Sequence, residues 1–175
     1  EKCKHLTISC VEKCKAMKRK IYKELVDWKN REQHKPLILN GVRQCGKTYI
    51  LKEFGRNEFD NLAYISCDRN ESLHAIYAGD FDTARIIRGL SALTGVDIIP
   101  GKTLIFLDEV QAFPQALEAL KYFCEDAPEY HIVVAGSLLG VALHAGISFP
   151  VGKVQSMRLF PMDFEEFLMA MGEDQ

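Results

Sequence analysis

Apolar residues recur along this chain in two rhythms, one of helices and one of buried strands. Ile21, Tyr22, Leu25 and Trp28 fall at helical spacing and predict an amphipathic first helix. A polar stretch from Asn30 to Pro36 follows, and Pro36 marks its end. Leu37 to Asn40 then reads as a first strand, Lys47 to about Phe54 as a helix, Gly55 to Asn61 as a turn, and Leu62 to Ser66 as a second strand. Leu73, Ile76 and Tyr77 predict a short helix, and Ala84 to Leu93 another that Gly95 closes. Thr103 to Leu107 is a strongly apolar third strand. Pro114 to about Glu125 reads as a helix with Pro near its first turn and Leu117, Leu120 and Phe123 on one face. His131 to Ala135 and Lys153 to Leu159 supply a fourth and a fifth strand. Phe164 to Met171 is a final helix, expected to turn Phe164, Phe167 and Leu168 inward. Short, unbroken apolar strands alternating with helices predict an α/β fold whose parallel sheet is covered on both faces. There is no internal repeat.

The junction between the first strand and the second helix carries the clearest chemistry. Gly41-Val42-Arg43-Gln44-Cys45-Gly46-Lys47-Thr48 reads G-x-x-x-x-G-K-T, a phosphate-binding loop. All eight residues are candidate nucleotide-binding residues. Backbone N–H groups of such a loop surround a polyphosphate, and the helix that follows adds its positive dipole end. Lys47 would reach the β- and γ-phosphates, and the Thr48 hydroxyl would sit on Mg²⁺. Gly101-Lys102-Thr103 also spells G-K-T, but Gly95 lies one position too far back and the segment enters a strand rather than a helix, so it reads as a turn.

About sixty residues after Thr48, the third strand ends in Asp108-Glu109. Strand C-termini line the ligand crevice of a parallel α/β sheet. Asp108 would stand beside Mg²⁺ there, and Glu109 would orient and deprotonate the attacking water. By itself the pair also fits a charged turn capping a buried strand; the phosphate loop makes the hydrolytic reading the favoured one. The fourth strand ends in Gly136-Ser137, where the Ser137 hydroxyl is a candidate sensor of the γ-phosphate or of the water, against the plainer reading of a Gly-Ser turn. Lys47 and Ser137 thus join Glu109 as candidate catalytic residues, while Thr48 and Asp108 are candidate metal ligands. Arg43, Lys153 and Arg158, or an arginine from a neighbouring subunit, are candidates to neutralise transition-state charge. No Asn-Lys-x-Asp tract reads guanine, and there is neither a His-Glu-x-x-His zinc motif nor a G-x-S-x-G nucleophile elbow.

Composition narrows the setting. The 175 residues suit one α/β domain, and 47% hydrophobic with 26% charged residues describe a globular chain. A formal net charge of −2 makes no global case for nucleic acid or anionic membrane. No apolar run approaches the roughly 18 residues that span a bilayer. The six cysteines form no C-x-x-C pair, which suggests a reducing, cytoplasmic setting. Cys3, His5, Cys10 and Cys14 can be drawn as a zinc cluster, but their spacing fits no common finger. The basic run Lys13 to Lys23 reads as a solvated helix face in preference to a nucleic-acid contact. Residues 1–16 begin with Glu and alternate Lys with Cys, and read as a leader or extension, with Met17 as the start of the domain.

Arg43 to Thr48, Leu107-Asp108-Glu109-Val110-Gln111, Ala135-Gly136-Ser137-Leu138-Leu139, Ser148 to Lys153 and Phe160-Pro161-Met162-Asp163-Phe164-Glu165-Glu166-Phe167-Leu168 occur here together. In that combination the chain, from Met17 to Met171, resembles the AAA-type domain of the uncharacterised prokaryotic ATP-binding proteins related to archaeal ATPases and STAND NTPases. The resemblance implies a three-layer α/β/α P-loop NTPase fold of the additional-strand, catalytic-Glu type. Its mainly parallel five-stranded sheet would run 5-1-4-3-2. The resemblance also implies ATP rather than GTP. Members usually continue into a second, C-terminal domain; this chain stops soon after Phe167-Leu168, so residues 17–175 are expected to be the ATPase domain without it. Two functions remain open on these residues: an Mg²⁺-dependent ATPase, and a nucleotide-dependent switch or interaction module with little intrinsic hydrolysis. A nucleic-acid motor is a third, supported locally only by the basic run. A homo-oligomer is compatible with each, and a protein or nucleic-acid partner is not identified.

Overall fold

The computed structural model describes residues 19–137 and 152–171. The proposed cysteine–histidine cluster, Leu138-Leu139 and Ser148 to Val151 lie outside them. Helix α1 (Ile21–Lys29) leads to strand β1 (Leu37–Gly41), helix α2 (Lys47–Glu58) and strand β2 (Asn61–Ser66). Helices α3 (Ser72–Ile76) and α4 (Thr83–Thr94) precede strand β3 (Thr103–Asp108). A 3-10 turn (Val110–Ala112), helix α5 (Gln115–Asp126), strand β4 (His131–Gly136), strand β5 (Gln155–Leu159) and helix α6 (Phe164–Met171) complete the described chain.

The five strands form one sheet in the order β2-β3-β4-β1-β5. Every neighbouring pair is parallel. This is the order 5-1-4-3-2 read from the other edge. Within the unbroken apolar strands a period of two sorts side chains between two cores. Leu104 and Phe106 of β3, with Leu37 and Leu39 of β1, pack under α1 and α2 against Leu25, Trp28, Ile50 and Phe54. Ile105, Leu107, Ile38 and Val134 face the other way, against Leu73, Ile86, Leu90, Leu117 and Phe123 of α3, α4 and α5. Those faces make three layers. Helix ends follow local chemistry: Asp82 caps α4 by accepting the Arg85 amide, and Gly95 ends it in the left-handed conformation. Among the described residues, no helix is long and apolar enough to cross a membrane.

Two expectations about helices need correction. The turn expected from Gly55 is helix as far as Glu58. Gly55 is there for contact rather than for a bend: a Cβ on it would lie 2.7 Å from Leu62 Cδ1 and 3.2 Å from Leu104 Cδ2. The missing side chain lets α2 press onto β2 and β3. Helix α6 does not turn Phe164 and Phe167 inward; they are 74% and 50% exposed. Its buried residue is Glu166. Apolar periodicity identifies a stripe on a helix but not which face finds a partner, and here ionic and capping bonds dock the helix.

At the N-terminal end of the sheet, His131 stacks on His34 with ring centroids 3.7 Å apart, enclosed by Trp28 and Phe59. His131 Nε2 lies 3.1 Å from the Lys29 carbonyl, so it carries the proton and donates it. Nδ1 is buried without a partner among the described residues. Burial, joined by the neighbouring His34, pushes His131 down to about 4.

Between its usual range and that value the unfolded chain holds a proton that the folded chain refuses. Stability from His131 is therefore complete above about pH 6.5 and is lost as pH falls toward 4, by about 2–3 kcal/mol. Urea unfolding at pH 7 and pH 4.5 should show this loss, and His131→Phe should flatten the difference. At the end of β1, a Cβ on Gly41 would meet the Leu159 carbonyl oxygen at 2.5 Å and Cys45 Sγ at 2.9 Å. Leu159 is fixed by its pairing with Gly41 and cannot retreat without opening the β1–β5 edge. Gly41→Ala should cost about 1–3 kcal/mol in the same unfolding measurement.

Candidate functional site

The phosphate loop leaves β1 at Gly41 and enters α2 at Lys47. Its path needs two left-handed residues, Gln44 at φ 61° and Gly46 at φ 93°. The second suits glycine; the first places a non-glycine residue in a sparsely populated region, the kind of strain that functional loops hold. Ile50 donates to the Gly46 carbonyl in the first closed turn of α2. By helix geometry, the amides of Lys47, Thr48 and Tyr49 have no acceptor within the helix and lie at its positive end.

Lys47 is buried, with Nζ donating to the Gly41 carbonyl at 2.9 Å and the Val42 carbonyl at 2.7 Å. Thr48 Oγ1 donates to Asp108 Oδ2 at 2.7 Å. That bond joins the first turn of α2 to the last residue of β3. Asp108 is 4% exposed and well satisfied: Tyr64 Oη donates to Oδ2 at 3.3 Å, and the Glu109 amide to Oδ1 at 3.0 Å. Glu109 itself takes the left-handed conformation, φ 52°, at the start of the 3-10 turn. Gln111 Nε2 donates to Glu109 Oε2. Gln111 Oε1 and Ser137 Oγ are both buried without partners among the described residues.

A crevice of about 680 Å³ runs from Arg43 and Gly46 past Lys47 and Thr48 to Asp68, Glu109, Gln111 and Ser137. The structure thus brings the candidate catalytic residues Lys47, Glu109 and Ser137 to one crevice, with Asp108 bonded to Thr48. On the outer side of the loop a smaller hollow of about 300 Å³ has Arg19, Val42, Cys45, Tyr49, Pro161 and Met162 among its lining residues. Negative charge at the strand ends is felt by neighbours. Burial first, then Asp108 and Glu109, push the Cys67 thiol up to about 12, so it stays protonated. Tyr64 is raised by burial and by the adjacent Asp108.

The three cations considered for phosphate charge separate. Arg43 lines the crevice. Lys153 pairs with Glu125 at 2.9 Å, at the opposite end of the sheet, where β5 begins beside Pro36. Arg158 lies over the Phe160 ring at 5.3 Å. Arg19 departs from the solvated face expected of the basic run: it is 7% exposed and bonds to the Cys45 carbonyl behind the loop. Sequence reasoning also assigned no role to Tyr64, Asp68 and Gln111. Gln111 had a signal, an amide two residues after the carboxylate; for Arg19 no local pattern distinguishes a buried guanidinium from a surface one.

The donor set suits a hard divalent cation. Thr48 and Asp108 offer oxygen, and no group of three or more His, Cys, Asp or Glu residues arranged to hold a metal occurs among the described residues. Mg²⁺ needs no such cage, since it keeps several waters and takes the rest of its shell from phosphate.

Comparison with known proteins bears on the fold and the family. No curated protein matches the sequence. Among solved structures, the Orc1 protein of Aeropyrum pernix, determined in complex with DNA, is similar in fold with a TM-score of 0.51 and 16% sequence identity. The match covers 87% of this chain and 47% of that one, so the chain spans about half the length of this relative. A family model described as an AAA domain matches residues 33–168, from the loop before β1 into α6. The chain belongs to the AAA domain family and is a nucleotide-binding P-loop domain of the AAA type.

Proposed function

We propose that this domain binds Mg²⁺-ATP and hydrolyses it to ADP and phosphate. The observation that carries the reading is the 2.7 Å bond between Thr48 and Asp108, on a crevice that also holds Glu109. The triphosphate lies along the first turn of α2, and Lys47 exchanges the Gly41 and Val42 carbonyls for phosphate oxygens. The apolar hollow beside Val42 and Met162 receives the base. Thr48 and Asp108 would hold the Mg²⁺, which would supply charge neutralisation for the phosphate oxygens. Glu109, fixed by Gln111, accepts a proton from a water as that water's oxygen bonds to the γ-phosphorus. The bond from γ-phosphorus to the bridging oxygen breaks, and ADP keeps that oxygen. Ser137 offers its hydroxyl to the γ-phosphate or to the water. The free thiols of Cys45, Cys67 and Cys124 fit a reducing, cytoplasmic setting.

A second reading rests on the same residues. Glu109 is held by the Gln111 amide, and Lys47 is engaged by two carbonyls of its own loop. Lys47 must change partners before phosphate is seated, which favours a slow, gated cycle in which the bound nucleotide sets a conformation. A neighbouring subunit could supply a further cation in either cycle. The basic run gains little as a nucleic-acid contact, because Arg19 pairs with Glu166 and Lys20 with Asp163 and Glu165.

Titration calorimetry with ATP, ADP and GTP, with and without Mg²⁺, should show Mg²⁺-dependent ATP binding that Lys47→Ala weakens by tenfold or more, about 1.4 kcal/mol. Glu109→Gln should keep that affinity while phosphate release falls about 100-fold or more. Turnover unchanged in Glu109→Gln would remove Glu109 from the mechanism, and absence of ATP binding by the wild type would overturn the proposal. Tight binding with no turnover in the wild type would favour the gated reading.

A further inference from the structure

Behind the phosphate loop, at the side of the hollow assigned to the base, one buried guanidinium ties together three distant segments. Arg19 Nη1 donates to the Cys45 carbonyl at 3.2 Å, Nη2 donates to the Phe160 carbonyl at 2.7 Å, and Nε stands 3.1 Å from Glu166 Oε2. The two charged side chains are 5% and 7% exposed. A charge so far from water persists only with its partner in place, so removing either one strands the other.

Glu166 has further duties. Its Oε1 accepts the Lys20 amide at 2.9 Å, at the start of α1. Its Oε2 accepts the Asp163 amide at 3.3 Å, while Asp163 Oδ1 accepts the Glu166 amide at 2.8 Å, a capping box that starts α6. One carboxylate therefore serves the positive ends of two helices and the guanidinium between them. Burial pushes the Glu166 carboxyl up, but these donors outweigh it and hold the group below the ordinary range.

The bond to Cys45 is the consequential one. The Cys45 carbonyl and the Gly46 amide belong to one planar trans peptide, in which C=O and N–H point in opposite directions. Arg19 holds the carbonyl on the outer side, so the Gly46 N–H is turned to the crevice side. Gly46 is the left-handed residue at the entry of α2, and a Cβ there would stand 3.7 Å from Arg19 Nη1.

We propose that Arg19 is a positioning residue for the phosphate loop, that Glu166 is its anchor, and that nucleotide binding is thereby coupled to the docking of α6. The proposal rests on the nucleotide-binding role assigned to the loop above. When α6 is docked, Glu166 holds the guanidinium, the guanidinium holds the Cys45–Gly46 peptide, and the loop is preorganised for phosphate. When α6 leaves, Arg19 loses its counter-charge and the peptide is free to rotate. Thermodynamic linkage makes the effect reciprocal, so ATP bound in the crevice steadies a helix that does not line it.

Backbone hydrogen exchange and titration calorimetry on the 175-residue chain test this, with MgCl₂ and ATP as the probe. In the wild type, ATP should slow exchange both in residues 41–50 and in α6. Arg19→Lys keeps the charge but not the fork. It should weaken ATP binding about tenfold, and ATP should then protect the loop but no longer α6. Glu166→Gln should give the same uncoupling with a smaller loss of affinity, and thermal melts of both variants identify any that fail to fold. Wild-type ATP protection confined to the loop, or Arg19→Lys binding and coupling like the wild type, would overturn the proposal. Should the wild type bind no ATP, the functional reading fails instead. Exchange without nucleotide then decides the clasp, which requires Arg19→Lys to loosen the loop and α6 together and is refuted if only one of them changes.

Discussion

Strand β4 lies between β1 and β3, and the placement of every functional group depends on the register that this insertion sets. Asn40 of β1 stands opposite Gly136, and Leu107 of β3 opposite Val134. Parallel strands buried on both faces leave no alternative for their backbone groups but to pair with each other. The pairing brings three strand ends to one level. The phosphate loop leaves the first, Asp108 and Glu109 leave the second, and Ser137 leaves the third. Thr48 and Asp108, 60 residues apart, meet at 2.7 Å because the sheet puts α2 over that edge.

Charge is arranged on both sides of the loop. In the crevice, Lys47 and Glu109 are satisfied by near neighbours, the first by carbonyls of the loop itself and the second by Gln111, and Asp108 behind Thr48 is satisfied by Thr48 and the Glu109 amide. Behind it, Arg19 and Glu166 form a buried pair that reaches the loop through a single carbonyl. The two sets are separated by one peptide layer. Rigidity on the outer side therefore bears on how the inner side presents its donors, although neither Arg19 nor Glu166 belongs to the wall carrying Glu109.

Legibility in the sequence varied with the range of the physics involved. The phosphate loop was readable because its chemistry is contiguous: glycines, Lys47 and Thr48 sit in fixed steps along one turn. Asp108 and Glu109 were readable because an apolar strand must end somewhere, and two carboxylates there are conspicuous. Gly55 misled because a glycine that makes room for Leu62 resembles one that breaks a helix. Phe164 and Phe167 misled for the opposite reason, since the apolar stripe of α6 is real but the buried side is held by Glu166.

By itself the sequence determined the alternation of strands and helices, the phosphate loop and the acidic strand end, because each rests on periodicity or on neighbours within a few residues. The tertiary structure decided which of Arg43, Lys153 and Arg158 lines the crevice, that Gln111 holds Glu109, and that Arg19 is buried against Glu166. The last of these depends on contacts between segments 146 residues apart. A guanidinium in a basic run carries no local sign of the carboxylate that will meet it. Only the closed sheet, with α1 and α6 brought end to end, supplies one.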